Sequence, residues 1–356
     1  MGSRLTLKTE IHAPVDLIRT IAIVLVIMVH AAIEPHPVVQ VMDQAEAFRW
    51  FTVNTYDAFA ASSVPLFVML SGALLLQPFK IEPIRVFLRR RLARVGLPFV
   101  FWGTAYFAWR FWANHEAISA STIVQGILTG PYYHFWFLYM LFGLYLITPV
   151  LRMVTAHADW RLIRYFCWLL VFGTAVVPLL MLLTGFSVEP KLFAITGWIG
   201  YFVLGYYLVE LRVRTSKLLF LWLTGFLLTI VCTYAVTALI GGHSSLFFLD
   251  YLSAPVFLAA SSLFMLLRKF SPSNLEIRFP RSSKLIHFIG CNTLVIYLLH
   301  VMVLESIQKG YFGLHVSVNT MNPIVEIPLI TVFTLFICLG IIFVLKRVPV
   351  VKKLIG

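Results

Sequence analysis

Asp16, Arg19 and His30 lie within one apolar run, DLIRTIAIVLVIMVH. A carboxylate, a guanidinium and an imidazole can hold, orient and deprotonate a substrate, and all three are costly in such a segment. On an α-helix, the 11 residues from Arg19 to His30 advance three turns plus about 20° and roughly 16 Å, so the two side chains share a face. Asp16 precedes Arg19 by one turn, within reach of an ion pair. The run therefore carries one polar stripe: a charged pair at one end and, further in, the side chain best suited to proton transfer near neutral pH. Interfacial anchoring of Asp16 and Arg19 and an interhelical hydrogen bond from His30 are the plainer readings. Their alignment on one face favours an active helix.

Four further stretches carry candidate chemistry. RRRLARVGLPF places Arg89, Arg90, Arg91 and Arg94 within six residues, with Arg91 and Arg94 on one helical face. Guanidinium groups pair bidentately with phosphate, and on the residues alone anionic lipid heads and a phosphorylated cofactor fit equally well. SSVPLFVMLSG holds Pro65, which predicts a kink, and serines that can satisfy freed backbone groups, with Ser71 a candidate substrate contact. YYHFWF places His134 and Trp136 near the outer surface in an aromatic belt, where His134 could touch a sugar or a head group. CNTLVIYLLHVMVLE holds Tyr297 and His300 one turn apart, either helix-to-helix hydrogen bonds or a second wall facing His30. Glu305 lies toward the outer end and reads as solvated.

The chain that must position these groups has 356 residues, 60% of them hydrophobic and 12% charged, with a mean hydropathy of +0.90. Soluble domains sit near half apolar and about a quarter charged. A membrane accounts for the difference. The net charge of +13 does not indicate nucleic acid, because the basic residues fall in short segments between apolar runs. Ten runs can span a bilayer: 15–33, 60–77, 95–113, 134–153, 164–185, 194–210, 217–239, 247–267, 285–308 and 323–346. In lipid every backbone polar group must be satisfied internally, so the expected fold is an all-α polytopic bundle of about ten transmembrane helices. With both termini cytoplasmic, all of the 28 Lys and Arg except Arg49, Arg110, Lys191 and Lys309 fall on the inside. The first run carries charges and no small-residue cleavage pattern, so it reads as a span and not as a cleaved signal peptide. The expected location is the inner or plasma membrane, with residues 1–356 forming a single domain. Glu34 opens a long external segment, and Lys80 a short basic internal one. Cys167, Cys232, Cys291 and Cys338 lack metal-ligand spacing and read as small apolar residues, so no metal is expected.

Five of these stretches, DLIRTIAIVLVIMVH, SVPLFVMLSGALL, RRRLARVGLPF, HFWFLYMLFGLYLITPVL and NTLVIYLLHVMV, occur in that order. In this the sequence resembles acyltransferase family 3, the polytopic membrane acyltransferases. It is most similar to the short members without a soluble esterase-like domain, of the kind that O-acetylates enterobacterial common antigen. The resemblance implies transfer of an acyl group, usually acetyl from acetyl-CoA, to a hydroxyl of a cell-envelope carbohydrate or glycolipid. It maps the family's first-helix pair onto Arg19 and His30 as catalytic residues. It maps the family's Arg-x-x-Arg onto Arg91 and Arg94, which with Arg89 and Arg90 would hold the donor's phosphates. The family's late-helix Tyr and His fall on Tyr297 and His300. With Asp16, Ser71, His134 and Trp136 these are the candidate substrate contacts; Glu305 has no secure counterpart. A glycan or glycolipid exporter without acyl transfer is the alternative, weakened by the absence of an inverted repeat.

Overall fold

The computed structural model describes residues 15–32, 43–77, 82–184, 197–239, 246–270, 276–311, 313 and 321–356. Among the described residues the regular structure is helical throughout, with no strand. The helices are α1 (Val15–Ala31), α2 (Gln44–Ala60), α3 (Ser63–Leu75), α4 (Ile84–Ala113), α5 (Ala120–Thr129), α6 (Trp136–His157), α7 (Trp160–Val171) and α8 (Val177–Thr184). They continue with α9 (Gly197–Glu210), α10 (Thr215–Leu239), α11 (Ala254–Leu267), α12 (Pro280–Cys291), α13 (Thr293–Gln308), α14 (Pro323–Leu345) and α15 (Pro349–Ile355).

Helices lie within the described parts of the ten expected runs, although in the run 247–267 the helix begins only at Ala254. Among the described residues five helical segments are by themselves long and apolar enough to cross a membrane, or six if the bent pair α12–α13 is one span. The shorter helices gain their place from packing. Helix α1 is in the centre, against α2, α3, α12, α13 and α14. Its apolar residues Ile18, Ala22, Ile23, Val26 and Ile27 are buried. Helix α9 has only 14 residues, about 21 Å at 1.5 Å per residue. It is buried on nearly every side against α3. The two backbones touch: a Cβ on Gly72 would overlap the carbonyl of Phe202, and one on Gly205 the carbonyl of Met69. Small residues at a helix crossing allow this approach where lipid supplies no hydrophobic drive. By contrast α10 turns Leu219, Phe220, Leu223, Leu227 and Val231 outward, as a lipid-facing helix would.

Four sequence expectations change. The stretch after Glu34 is not all loop. Residues 34–42 lie outside the described residues, but Asp43 caps α2, its carboxylate accepting from the Glu46 N–H at 2.8 Å while Glu46 accepts from the Asp43 N–H at 3.3 Å. Such a reciprocal cap starts a helix wherever it falls. Pro65 does not kink a span; the break is at Ala61–Ser62, and Pro65 sits in the first turn of α3, where its missing N–H is not needed. The arginine group is not on a loop but on the first turns of the 30-residue α4. The ninth run is two helices meeting at 82° around Asn292. The bend follows from contact: a Cβ on Gly290 would lie 2.7 Å from the Asp16 Cβ, so the end of α12 rests directly on α1. Thr20 Oγ1 ties the same helices together by donating to the Ile286 carbonyl at 3.0 Å.

Gly205→Ala should destabilise the protein by about 1–3 kcal/mol, because a methyl must be forced between two backbones. Gly143→Ala, with nothing within 4 Å of the added Cβ, should be neutral or slightly stabilising. Thermal unfolding of the two variants in detergent compares them; equal midpoints would contradict the α3–α9 contact.

Candidate functional site

Two adjoining features lie along the central helices. The first is a cavity of about 440 Å³. Asp16 and Arg19 of α1 and Arg91 and Arg94 of α4 line its polar part. Ser71, Leu74 and Leu75 of α3 and Phe137, Leu141 and Tyr145 of α6 form its walls, with Thr293, Leu294 and Tyr297 of α13. The helical spacing that put Arg91 and Arg94 on one face aims both into this space. Arg89 and Arg90 are not part of the lining: both are exposed, and Arg90 pairs with Glu82 at 3.5 Å. Guanidinium groups in a partly closed cavity interact more strongly with an anion than the same groups in open water.

Behind Tyr297 stands a group of three imidazoles. The His30 ring is 5.1 Å from that of His300 and 5.3 Å from Tyr133; the His134 ring is 5.6 Å from those of His300 and Tyr297. His134 and His300 are completely buried. The sequence reading placed His134 at the outer surface. The structure turns it inward, because residues Tyr133–Phe135 form a 3-10 turn ahead of α6. Tyr297 fixes that turn by donating its hydroxyl to the His134 carbonyl. Trp136 does stay at the surface, 37% exposed, against Trp198 and Tyr251.

The hydrogen-bond record of these rings is unusual for a buried site. His300 Nδ1 lies 2.6 Å from the Tyr297 carbonyl. A carbonyl only accepts, so the proton sits on Nδ1 and His300 Nε2 is left as an acceptor. Among the described residues His300 Nε2, His30 Nδ1 and both nitrogens of His134 are buried without a hydrogen-bond partner. Each such atom forfeits its hydration with nothing in return. Buried acceptors and donors left open in one place are what a site for a polar reacting group requires.

Two residues, Glu305 and His287, gain a role that the sequence did not suggest, and a third, Glu326, is buried. Glu305 is half-buried and more than a solvated end group: its carboxylate accepts from Trp109 Nε1 at 2.9 Å and from the Tyr132 hydroxyl. It thereby anchors α4 and the Tyr132–Tyr133 turn to α13. His287 contacts Asp16, Nδ1 to Oδ2, at 2.7 Å, while Asp16 and Arg19 are 4.0 Å apart. Asp16 is thus held more closely by α12 than by its helical neighbour. Glu326 is fully buried on α14; a carboxylate inside the apolar run IVEIPLITVF was its signal.

The chain matches the acyltransferase domain family over residues 13–343. It belongs to acyltransferase family 3. No curated protein and no solved structure matches it. The family member is a multi-pass membrane acyltransferase, and the matched span takes in every residue of the cavity and of the imidazole group.

Glu305→Ala should cost about 1–3 kcal/mol, since it leaves the Trp109 and Tyr132 donors without their acceptor. A lowered unfolding midpoint with a shift in tryptophan emission checks this; an unchanged midpoint would remove the anchoring role.

Proposed function

We propose that this acyltransferase moves an acetyl group from cytoplasmic acetyl-CoA to a hydroxyl of a cell-envelope carbohydrate or glycolipid. The observation that carries the reading is the adjacency of the two features. A cavity with Arg19, Arg91 and Arg94 along its polar part extends to Tyr297, and the rings of His134, His300 and His30 follow directly behind. An acyl-CoA matches that order, with phosphates at one end and a thioester at the end of a long, mostly uncharged arm. The three arginines bind the phosphates, and the apolar walls take the arm.

In the reaction His30 takes the proton of the acceptor hydroxyl as the oxygen attacks the thioester carbonyl. The tetrahedral intermediate collapses with cleavage of the carbon–sulfur bond, and the imidazolium returns the proton to the departing CoA thiolate. Arg19 serves the donor end, about 16 Å along α1 from His30. Holding donor and acceptor in line supplies much of the rate. The position of Tyr297 between cavity and imidazoles makes it the surface past which the acyl group must move. With the arginines on the cytoplasmic side, CoA stays inside while the acceptor approaches from the end that carries His134 and Trp136.

Acetyl transfer from radiolabelled acetyl-CoA in proteoliposomes tests the base. His30→Ala should lower kcat by about 10²–10⁴-fold with folding intact; activity within twofold of wild type would sink the assignment. CoA release with labelled acetate and no labelled acceptor would instead favour hydrolysis, and no release of CoA would favour export. For the donor site, Arg91→Ala combined with Arg94→Ala should raise the KM for acetyl-CoA by about tenfold or more, one lost charged contact being about 1.5–3 kcal/mol. The pair Arg89→Ala and Arg90→Ala should change it little. Equal effects from the two pairs would contradict selective binding by the residues that line the cavity.

A further inference from the structure

Asp16, His287 and Cys291 bring three different donor atoms together at the junction of α1 and α12. One carboxylate oxygen, one imidazole nitrogen and one sulfur all lie within 4.8 Å of one another. His287 and Cys291 are one turn apart on α12, and Asp16 meets them across the contact at Gly290. His287 Nδ1 is 2.7 Å from Asp16 Oδ2, and Cys291 Sγ is 3.8 Å from the same nitrogen. Sequence spacing could not show this, because Asp16 and Cys291 are far apart in the chain and no second cysteine marks the site.

We propose that these residues form a binding site for a divalent transition metal of the zinc class, which fastens the bent helix pair α12–α13 to α1. Zinc takes nitrogen and oxygen at about 2.0 Å and thiolate at about 2.3 Å, which sets tetrahedral edges of about 3.3–3.5 Å between ligand atoms. To reach those edges the Asp16–His287 pair opens by about half an ångström, the Cys291 sulfur closes on His287 by a few tenths, and the Asp16–Cys291 separation, within 4.8 Å, closes by up to about 1.3 Å. Rotation of partly or largely exposed side chains supplies these shifts, the His287 side chain being 71% exposed and that of Asp16 31%. The donor set also selects the metal. A thiolate and an imidazole favour zinc or cobalt over magnesium or calcium, which take oxygen. On binding, the Cys291 thiol releases its proton to solvent, and the neutral imidazole of His287 carries its proton on Nε2 so that Nδ1 ligates. Three protein ligands leave a fourth position for water.

The site also couples to the cavity. Asp16 lines it, and α13, which continues from Cys291 through the bend, carries Tyr297 and His300. A metal at the junction fixes the angle at which α13 leaves α12.

The test uses the full chain in detergent, stripped of metal by a chelator and titrated with Co²⁺. Wild type should develop a thiolate-to-cobalt charge-transfer absorption that saturates at one ion per chain. Cys291→Ser should abolish that absorption, and His287→Ala should weaken binding by tenfold or more. In parallel, Zn²⁺ should raise the thermal midpoint of wild type but not of Cys291→Ser, and Mg²⁺ should do neither. Because Cys291 is exposed, the serine variant should unfold at the wild-type midpoint without metal, which separates loss of the site from loss of the fold. No absorption in wild type, or an absorption or a zinc-dependent midpoint that survives Cys291→Ser, would overturn the proposal.

Discussion

A polar side chain inside an apolar bundle has water neither to hydrate it nor to screen it, so its partners must come from the neighbouring helices. Helix α1 is where that constraint is concentrated. It carries Asp16, Arg19, Thr20 and His30, which between them face three other helices. Asp16 meets His287 on α12, and Thr20 binds the Ile286 carbonyl there. Arg19 opens into the cavity shared with α4, and His30 packs on His300 of α13. The polar stripe of α1 thus fixes its contacts with α12 and α13 and its share of the cavity with α4, while its apolar surface packs against the rest.

The bend at Asn292 makes this arrangement possible. A straight ninth span would carry α12 away from α1 and leave Asp16 without His287. Gly290 lets the α12 backbone reach Asp16 directly, and the chain then turns by 82° so that α13 runs beside α1. Tyr297 and His300 reach the centre by that route. The Tyr297 hydroxyl in turn holds the turn that carries His134, so one helix organises two of the three imidazoles.

Stability and site chemistry are divided among different residues. The α3–α9 crossing at Gly72 and Gly205 and the Glu305 anchor to Trp109 and Tyr132 consume their hydrogen-bonding or packing capacity in the fold. The nitrogens of His30, His134 and His300 do not, since several remain open within the described residues. Single buried oxygens at Thr233, Ser261 and Thr334 also lack a partner among the described residues, but the imidazole group gathers four such atoms in one place, a capacity kept for a reactant.

The sequence by itself determined the helical, membrane-spanning character of the chain, through apolar runs too long and too frequent for a soluble core. It also determined the polar face of α1 and the shared face of Arg91 and Arg94, because both follow from the helical period alone. Family membership was legible in the order of five motifs. Tertiary structure decided what local period cannot encode. The inward turn of His134 depends on a hydroxyl more than 160 residues away. The anchoring of Glu305 depends on a tryptophan from α4, and the Asp16–His287 contact on a helix that bends. Arg89 and Arg90 look equal to Arg91 and Arg94 in the sequence; only the packing of α4 against its neighbours leaves the first two outside the cavity. Contacts between distant segments depend on how helices dock, and helices dock by shape and by the satisfaction of polar groups, neither of which is written in any one segment.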